Sequence, residues 1–354
     1  MNVKPSQNNR LGVGIVGCGA ISRMHIEAYE RNPFTEIRAV SSGTEKSARA
    51  VGERLGVPFY TDYRAMIDRG DIDLISVCTP SGLHMEPVLY GAERGVHAVV
   101  EKPLEITAAR IDRMRAACEE NGVLLSCIFN NRFTDAHRFL KRAMEAGRFG
   151  RLTNANMSVR WYRKPAYYTG SKWHGTLALD GGGALMNQSI HYIDLLLWLV
   201  GDVKSVCGYT GTLLHTSIEA EDTAVACLQF ENGALGTILG TTSTYPGYPA
   251  ELQIAGTRGS AVVTDGAITA WRFLDDDPLD EEAARLMAQG GEKNDRAADP
   301  MAFAAVNHCR QIDGIIDALR RGTSPEVDAA QARRSVALIE AIYRSASEGT
   351  PVVL

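Results

Sequence analysis

The chain has 354 residues, which at roughly 150 residues per domain predicts about two domains. Its 37 basic and 42 acidic side chains leave a net charge of −5, so the charge balance favours neither nucleic acid nor an anionic membrane as partner. The longest apolar run, Leu195–Val200, is about a third of the roughly 20 residues a spanning helix needs, and the polar N-terminus lacks a signal peptide's apolar core. We therefore expect a cytoplasmic protein.

The cysteines are scattered along the sequence. They number seven, and none forms a CxxC pair. An odd, unclustered set favours neither a disulfide framework nor a zinc site, so we expect buried free thiols and no metal.

The first part of the chain alternates between strand-like and helical patterns. Residues 1–10 are typical of a disordered tail. Strands are predicted at 11–16, 37–40, 74–78, 97–100 and 124–128, and helices at 21–31, 48–55, 87–94 and 108–121. This alternation predicts βαβ units with a parallel sheet, forming a domain over residues 11–130.

The second part, residues 131–354, has a different pattern. A helix is predicted at 185–200, followed by consecutive strands at 203–209, 223–230, 235–242 and 251–255. Strands without intervening helices predict a mainly antiparallel sheet. Residues 275–300 predict a loop with a short helix, and two helices near 301–321 and 328–348 close the chain.

A glycine-rich turn joins the first strand to the first helix. Gly17 permits a tight turn, and Gly19 lets the backbone approach a pyrophosphate. The helix that begins at Ala20 and Ile21 offers free N–H groups to the anion, and Ser22 replaces the third glycine of the GxGxxG pattern. The motif predicts nucleotide binding; a glycine turn without a ligand is the alternative.

The end of the second strand bears on the choice of cofactor. NAD-binding proteins usually carry an acidic residue there to hold the ribose hydroxyl. Ser42 occupies that position and Lys46 follows one turn later. The missing carboxylate removes repulsion toward a 2′-phosphate, so NADP is slightly favoured over NAD. Alternatively, Ser42 is a helix cap and Lys46 a solvated lysine.

Two further motifs complete a family pattern. Glu101-Lys102-Pro103 ends a strand, and Asp180–Asp194 contains Gly181-Gly182-Gly183, Asn187 and His191. With the nucleotide turn, these segments resemble the glucose–fructose oxidoreductase / inositol dehydrogenase / MocA (Gfo/Idh/MocA) family over roughly residues 10–354.

The resemblance implies an N-terminal Rossmann domain and a C-terminal α/β domain on a large open sheet, with nicotinamide and substrate meeting between them. It implies catalytic roles for Lys102 and His191, and a homodimer or homotetramer. The segment 42–46 is similar to that of the NADP-containing glucose–fructose oxidoreductase. The remaining implied cofactor-binding residues are Thr79, Pro80, His84, Glu101, Lys102 and Trp173.

The residues themselves fit hydride-transfer chemistry. Asn187 and His191 are four apart, so on a helix they share one face, with Asp194 nearby. A histidine can accept a hydroxyl proton near neutral pH, and Lys102 can polarise the substrate oxygen. Pro103 is a candidate for a cis peptide bond.

One position departs from the family pattern. Many of the family's dehydrogenases have an aspartate four residues before the histidine, where this chain has Asn187. An amide can orient a hydroxyl but cannot accept its proton, which favours sugars other than inositol. Arg160 and Tyr162 are candidates for the sugar pocket, although packing or surface roles fit them equally well.

We therefore predict an NAD(P)-dependent dehydrogenase acting on a secondary alcohol or ketone of a sugar, sugar derivative or cyclic polyol. Two alternatives stay open. One is an NAD-dependent glycoside hydrolase of the same fold, and the other is a non-catalytic nucleotide-sensing protein.

Overall fold

The computed structural model describes residues 10–290 and 305–354. The chain divides into two compact units, one comprising Met1–Phe129 and Ala304–Arg333 and the other Asn130–Phe303 and Arg334–Leu354. The tail predicted at 1–10 lies, apart from Arg10, outside the described residues, as does the end of the loop predicted at 275–300.

A parallel sheet forms the centre of the first unit, as the alternating pattern predicted. Its strand order is β3-β2-β1-β4-β5-β6. β1 is buried along its whole length because it is a central strand covered on both faces. The strands are β1 (Leu11–Val16), β2 (Thr35–Ser41), β3 (Phe59–Tyr60), β4 (Leu74–Val77), β5 (His97–Val100) and β6 (Leu125–Cys127).

Helices accompany these strands along the chain. The α-helices are α1 (Ser22–Arg31), α2 (Glu45–Leu55), α3 (Tyr63–Ile67), α4 (Met85–Ala92) and α5 (Ala108–Glu120), with a 3-10 turn at Ser81–Leu83. The short strand β3 and helix α3 were not predicted, since two and five residues carry too little pattern.

A helix near the C-terminal end of the sequence packs into the core of the first unit. α10 (Val306–Arg321) buries Ile312, Ile315 and Ile316 in the same apolar cluster as residues of β1 and α1. Asn32 at the end of α1 also donates to Asp313 over 2.6 Å. The expected second domain over 131–354 therefore differs from the compact units, because an amphipathic helix does not encode which core its apolar face will join.

The second unit contains a mixed, mainly antiparallel sheet, again as predicted. Its order is β13-β12-β11-β7-β10-β9-β8-β14, and of the described strand pairs in this second sheet only β7 and β10 run parallel. The strands are β7 (Leu152–Arg160), β8 (Val203–Gly211), β9 (Thr223–Phe230), β10 (Leu235–Thr241), β11 (Glu251–Gly256), β12 (Gly259–Thr264), β13 (Ala267–Phe273) and β14 (Val352–Val353). β7, β12, β13 and β14 were not predicted.

The helix predicted at 185–200 packs on this sheet but is not uniform. A π-helical segment, Ala184–Ser189, leads directly into α8 (Ile190–Val200). A Cβ at Gly240 of β10 would lie 2.6 Å from Ser189 Oγ, so this glycine makes room for the helix. The other helices are α6 (Asp135–Glu145), α7 (Pro165–Thr169), α9 (Leu279–Gln289) and α11 (Ala329–Glu348), with a 3-10 turn at Asn130–Phe133.

Two global properties follow from these elements. In the part of the chain that is described, no helix is both long and apolar enough to cross a membrane. The seven cysteines are unbridged, and Cys78, Cys118, Cys127 and Cys309 are buried.

Candidate active site

The glycine-rich turn after β1 has the geometry of an anion site. Gly17 has φ 96°, and a Cβ there would lie 2.7 Å from the carbonyl carbon of Cys78, so only glycine fits. A Cβ at Gly19 would meet no atom of the described residues within 4 Å, so that backbone faces open space among them. No described side chain caps the N-terminus of α1, where Ile21 is the cap residue. The uncapped helix N-terminus and the open space beside Gly19 fit a pyrophosphate.

The end of β2 carries hydroxyl groups and no carboxylate. Ser42 Oγ lies 2.9 Å from Ser47 Oγ, while the cap of α2 is Thr44, whose side chain accepts from the Ser47 N–H. The alternative that made Ser42 the helix cap is therefore wrong, because Thr44 takes that place. Lys46 is exposed on the first turn of α2.

The buried ring of His84 connects two loops through hydrogen bonds. Its Nε2 lies 2.9 Å from the carbonyl oxygen of Thr79, and its Nδ1 lies 2.9 Å from that of Pro103. The ring is 1% exposed, and burial lowers its pKa. His84 therefore fixes the segments carrying Thr79, Pro80 and Lys102, which are half-buried.

Glu101 is also an internal residue, although the resemblance assigned it to the cofactor. Its Oε1 lies 2.8 Å from His25 Nε2 and 3.5 Å from His308 Nε2, and its Oε2 accepts from the Lys102 N–H over 3.1 Å. Burial would raise the pKa of Glu101, but hydrogen bonds from the two histidines hold it well below its usual range. The following peptide bond, Lys102–Pro103, is cis. The network thus fixes the backbone from which the Lys102 side chain projects.

The first-unit candidates share one edge of the parallel sheet. Gly17 follows β1, Ser42 follows β2, Thr79 follows β4 and Lys102 follows β5. The carboxyl edge of such a sheet is where nucleotide ligands bind in doubly wound folds. The sequence motifs therefore converge on one place in this unit.

In the second unit, a glycine turn and a buried carboxylate start the candidate substrate helix. A Cβ at Gly183 would overlap the carbonyl oxygen of Glu221. Glu221 accepts from the N–H groups of Gly183 and Leu185 over 2.9 and 2.8 Å, and from Tyr343 Oη over 3.0 Å. Burial raises the pKa of Glu221 to about 7. Sequence reasoning missed this carboxylate, which satisfies the first N–H groups of the helical run.

Asn187 and His191 lie on the accessible stripe of that helical run. Both are half-buried, whereas the other residues between Gly182 and Leu197 are buried. Their four-residue spacing thus places them on one face, as predicted, and a π-helical turn is a frequent feature of functional sites. Asn187 Nδ2 donates to Asp180 Oδ1 over 2.5 Å.

Asp194, three residues beyond His191, faces another partner. Its two oxygens accept from Arg132 Nε and a terminal guanidinium nitrogen over 2.7 and 2.6 Å, with both side chains 1% exposed. This buried ion pair fixes the position of α8 against Arg132.

Two of the other second-unit candidates, Arg160 and Tyr162, lie at the end of β7, and Trp173 lies in the loop after α7. The Arg160 guanidinium lies 5.3 Å from the Tyr248 ring centre, and Tyr162 packs edge-on against Tyr245 at 5.2 Å. Trp173 lies 4.0 Å from the ring of His174. Arg160, Tyr162, Tyr245 and Tyr248 are aromatic and basic side chains that a sugar ring or a base could contact.

The sequence matches known families over most of its length. Residues 11–129 match the model described as "Oxidoreductase family, NAD-binding Rossmann fold", and residues 137–262 match "GFO/IDH/MocA C-terminal domain". D-apiose dehydrogenase of Paraburkholderia graminis is 28% identical, covering 96% of this chain and 88% of its own length.

Two solved structures are similar to the whole chain. The WlbA dehydrogenase of Bordetella pertussis, in complex with NADH and UDP-GlcNAcA, is 35% identical with a TM-score of 0.90, covering 99% of both chains. The WlbA dehydrogenase of Chromobacterium violaceum, in complex with the same two molecules, is 32% identical with a TM-score of 0.90, covering 100% of this chain and 99% of that one.

Proposed function

Because the chain belongs to the Gfo/Idh/MocA family of oxidoreductases, we propose that it transfers a hydride between a nicotinamide cofactor and a secondary hydroxyl of a sugar. The observation that carries this proposal is the carboxyl edge of the first sheet. There the turn at Gly17 and Gly19 is open to a pyrophosphate, and Lys102 projects from a backbone that buried Glu101 holds.

The chain's own residues supply binding and proton transfer. The bound nicotinamide would accept the hydride from the carbinol carbon. Lys102 donates a hydrogen bond to the substrate oxygen and stabilises the negative charge that develops on it. His191 takes the hydroxyl proton, and gives it back when the reaction runs toward the alcohol. Asn187, on the same helical face, orients the hydroxyl through its amide.

The cofactor proposal covers both nicotinamide dinucleotides. Ser42 itself carries no negative charge to repel a 2′-phosphate, and exposed Lys46 is available to pair with one. The slight preference for NADP that the sequence indicates stays a prediction, and the NADH in both WlbA structures makes NAD the competing choice.

For the substrate we propose a nucleotide-linked sugar of the UDP-GlcNAcA type. The support is similarity to the two WlbA dehydrogenases above 30% identity over essentially the full chain, with a TM-score of 0.90 for each. The basic and aromatic surface of Arg160, Tyr162, Tyr245 and Tyr248 suits a charged, partly aromatic ligand. A free sugar, as in the D-apiose dehydrogenase relative, is the second candidate.

We also propose a homodimer or homotetramer in a reducing compartment such as the cytoplasm. Tyr209, Val225 and Leu235 leave large apolar side chains exposed on the second sheet, which suits association with another copy. The unbridged cysteines suit a reducing compartment. Light scattering on a size-exclusion column tests the assembly, and a single monomer peak would contradict it.

A substrate and cofactor matrix tests the function. Each cofactor is combined with UDP-GlcNAcA, D-apiose and myo-inositol, and nicotinamide reduction is followed by absorbance. We expect turnover that is fastest with the nucleotide sugar. Turnover with a free sugar alone would overturn the substrate class, and glycosidic cleavage without net cofactor reduction would favour the hydrolase alternative.

A further inference from the structure

The Asn187 amide is held by a carboxylate that sequence reasoning did not assign. Asp180 precedes the three glycines and is 1% exposed. Its Oδ2 accepts from the Gly175 N–H over 2.8 Å, and its Oδ1 accepts from Asn187 Nδ2 over 2.5 Å. A carboxylate only accepts hydrogen bonds, so it fixes which end of the Asn187 amide turns inward. The amide oxygen must then face the other way.

The same amide is one link in a polarised chain of hydrogen bonds. Arg163 donates to Gln188 Oε1 over 2.9 Å, and Gln188 Nε2 donates to Asn187 Oδ1 over 2.8 Å. Asn187 then donates to Asp180, so each donor points toward the carboxylate. Chains of this kind strengthen one another in a low-dielectric interior.

Burial singles out one member of this chain. Arg163, Gln188 and Asp180 are all buried, while Asn187 is half-buried and shares the accessible stripe with His191. The guanidinium and the carboxylate are therefore held away from solvent. Of these four side chains, Asn187 is therefore the one that a ligand can contact, and its amide transmits the orientation imposed by the buried charges.

We infer that Asp180 is the positioning residue of the substrate site, holding Asn187 so that its amide presents a fixed polarity to the substrate hydroxyl. This inference rests on the proposed hydride transfer. The Asp180–Asn187 hydrogen bond needs one acceptor and one donor. A carboxylate and an amide meet this requirement, whereas two ionised carboxylates both accept and repel each other.

A swap of the two residues tests the pairing. Asp180→Asn lets the amides meet in either orientation, and Asn187→Asp places two carboxyl groups at hydrogen-bond distance. We expect each single variant to lose about ten- to a hundredfold in kcat/KM, the range of a lost charge-assisted bond. The double variant restores an acid–amide bond and should regain at least tenfold over Asn187→Asp.

The pH profile separates positioning from general damage. In Asn187→Asp the two acids can pair only while they share a proton, so its kcat/KM and melting temperature should fall with rising pH relative to the parent. The double variant should follow the parent. Asp202→Asn, an exposed carboxylate of the same unit bound to Arg334, is the matched control and should change neither quantity.

The outcomes distinguish this inference from the proposed function. A parent without turnover on any sugar refutes the function, while melting temperatures of the same four proteins still test the pairing. Equal kcat/KM in Asp180→Asn and the parent, or a double variant no better than Asn187→Asp in activity and melting temperature, overturns the inference. If Asp180→Asn does not fold, recovery of Asn187→Asp at low pH decides it: recovery supports the pairing, and its absence refutes it.

Discussion

Glu221 should make the stability of the protein depend on pH. Its carboxyl is 7% exposed and anchors the first turn of the substrate helix through Gly183 and Leu185. Burial raises its pKa from 4.5 to about 7, although the two N–H donors and Tyr343 oppose this. The folded protein therefore binds a proton that the unfolded chain has released.

The sign and size of the effect follow from this difference. An acid with a raised folded-state pKa contributes stability that is fully present below about pH 4.5 and is lost as the pH rises through about 7. A difference of two to three pKa units corresponds to roughly 3 kcal/mol in the free energy of unfolding. Because the glutamine of Glu221→Gln does not titrate, the pH-dependent part of the free energy of unfolding should disappear. The glutamine also places an amide nitrogen against N–H donors, which should lower the free energy of unfolding at pH 5 by about 1–3 kcal/mol.

Urea unfolding followed by tryptophan fluorescence, at pH values from 5 to 8, measures the effect. Glu219→Gln, an exposed carboxylate two residues away, is the matched control and should keep the parent's pH dependence. A Glu221→Gln profile parallel to the parent's over this window would refute the reasoning, because the titrating group would then lie elsewhere.

Three further predictions concern the site and its support. Lys102→Met should abolish turnover while cofactor affinity, by fluorescence titration, stays within about tenfold, since most binding energy lies at the phosphate and adenosine ends; near-normal turnover would exclude the assigned role. Ser42→Asp should shift the titrated preference toward NAD by roughly ten- to a hundredfold through repulsion of the 2′-phosphate, and a parent that already binds NAD more tightly would contradict the proposed ribose contact. Asp194→Leu should cost about 3–5 kcal/mol in urea unfolding by leaving Arg132 buried without its partner, whereas adding Arg132→Met should recover most of it; equal losses in both would show that packing, not charge, is responsible.

The features of the fold that could be predicted are those encoded by short stretches of sequence. The alternation of strands and helices predicted the parallel sheet, and Gly17 predicted a turn that only glycine allows. The burial of α10 in the first core was not predictable from its own residues, since Ile312 and Ile316 would suit any apolar surface.

The same limit applies to the site. Lys102 and His191 were found through motifs, whereas Asp180 and Glu221 act through partners that only the folded chain brings near. Glu221 lies 36 residues beyond Leu185, and no spacing rule connects a loop residue before β9 to a helix start at that distance. Ser42 was assigned a possible capping role because serine suits that position, but Thr44 fills it.

Transfer of an isotope label tests the proposed reaction most directly. UDP-GlcNAcA deuterated at its ring carbons is incubated with the protein and oxidised nicotinamide dinucleotide, and the reduced cofactor is weighed by mass spectrometry. Direct hydride transfer predicts one deuterium on the nicotinamide ring, formed about 10²–10⁴ times more slowly by His191→Ala. Reduced cofactor without deuterium, or an unchanged rate in His191→Ala, would contradict the account.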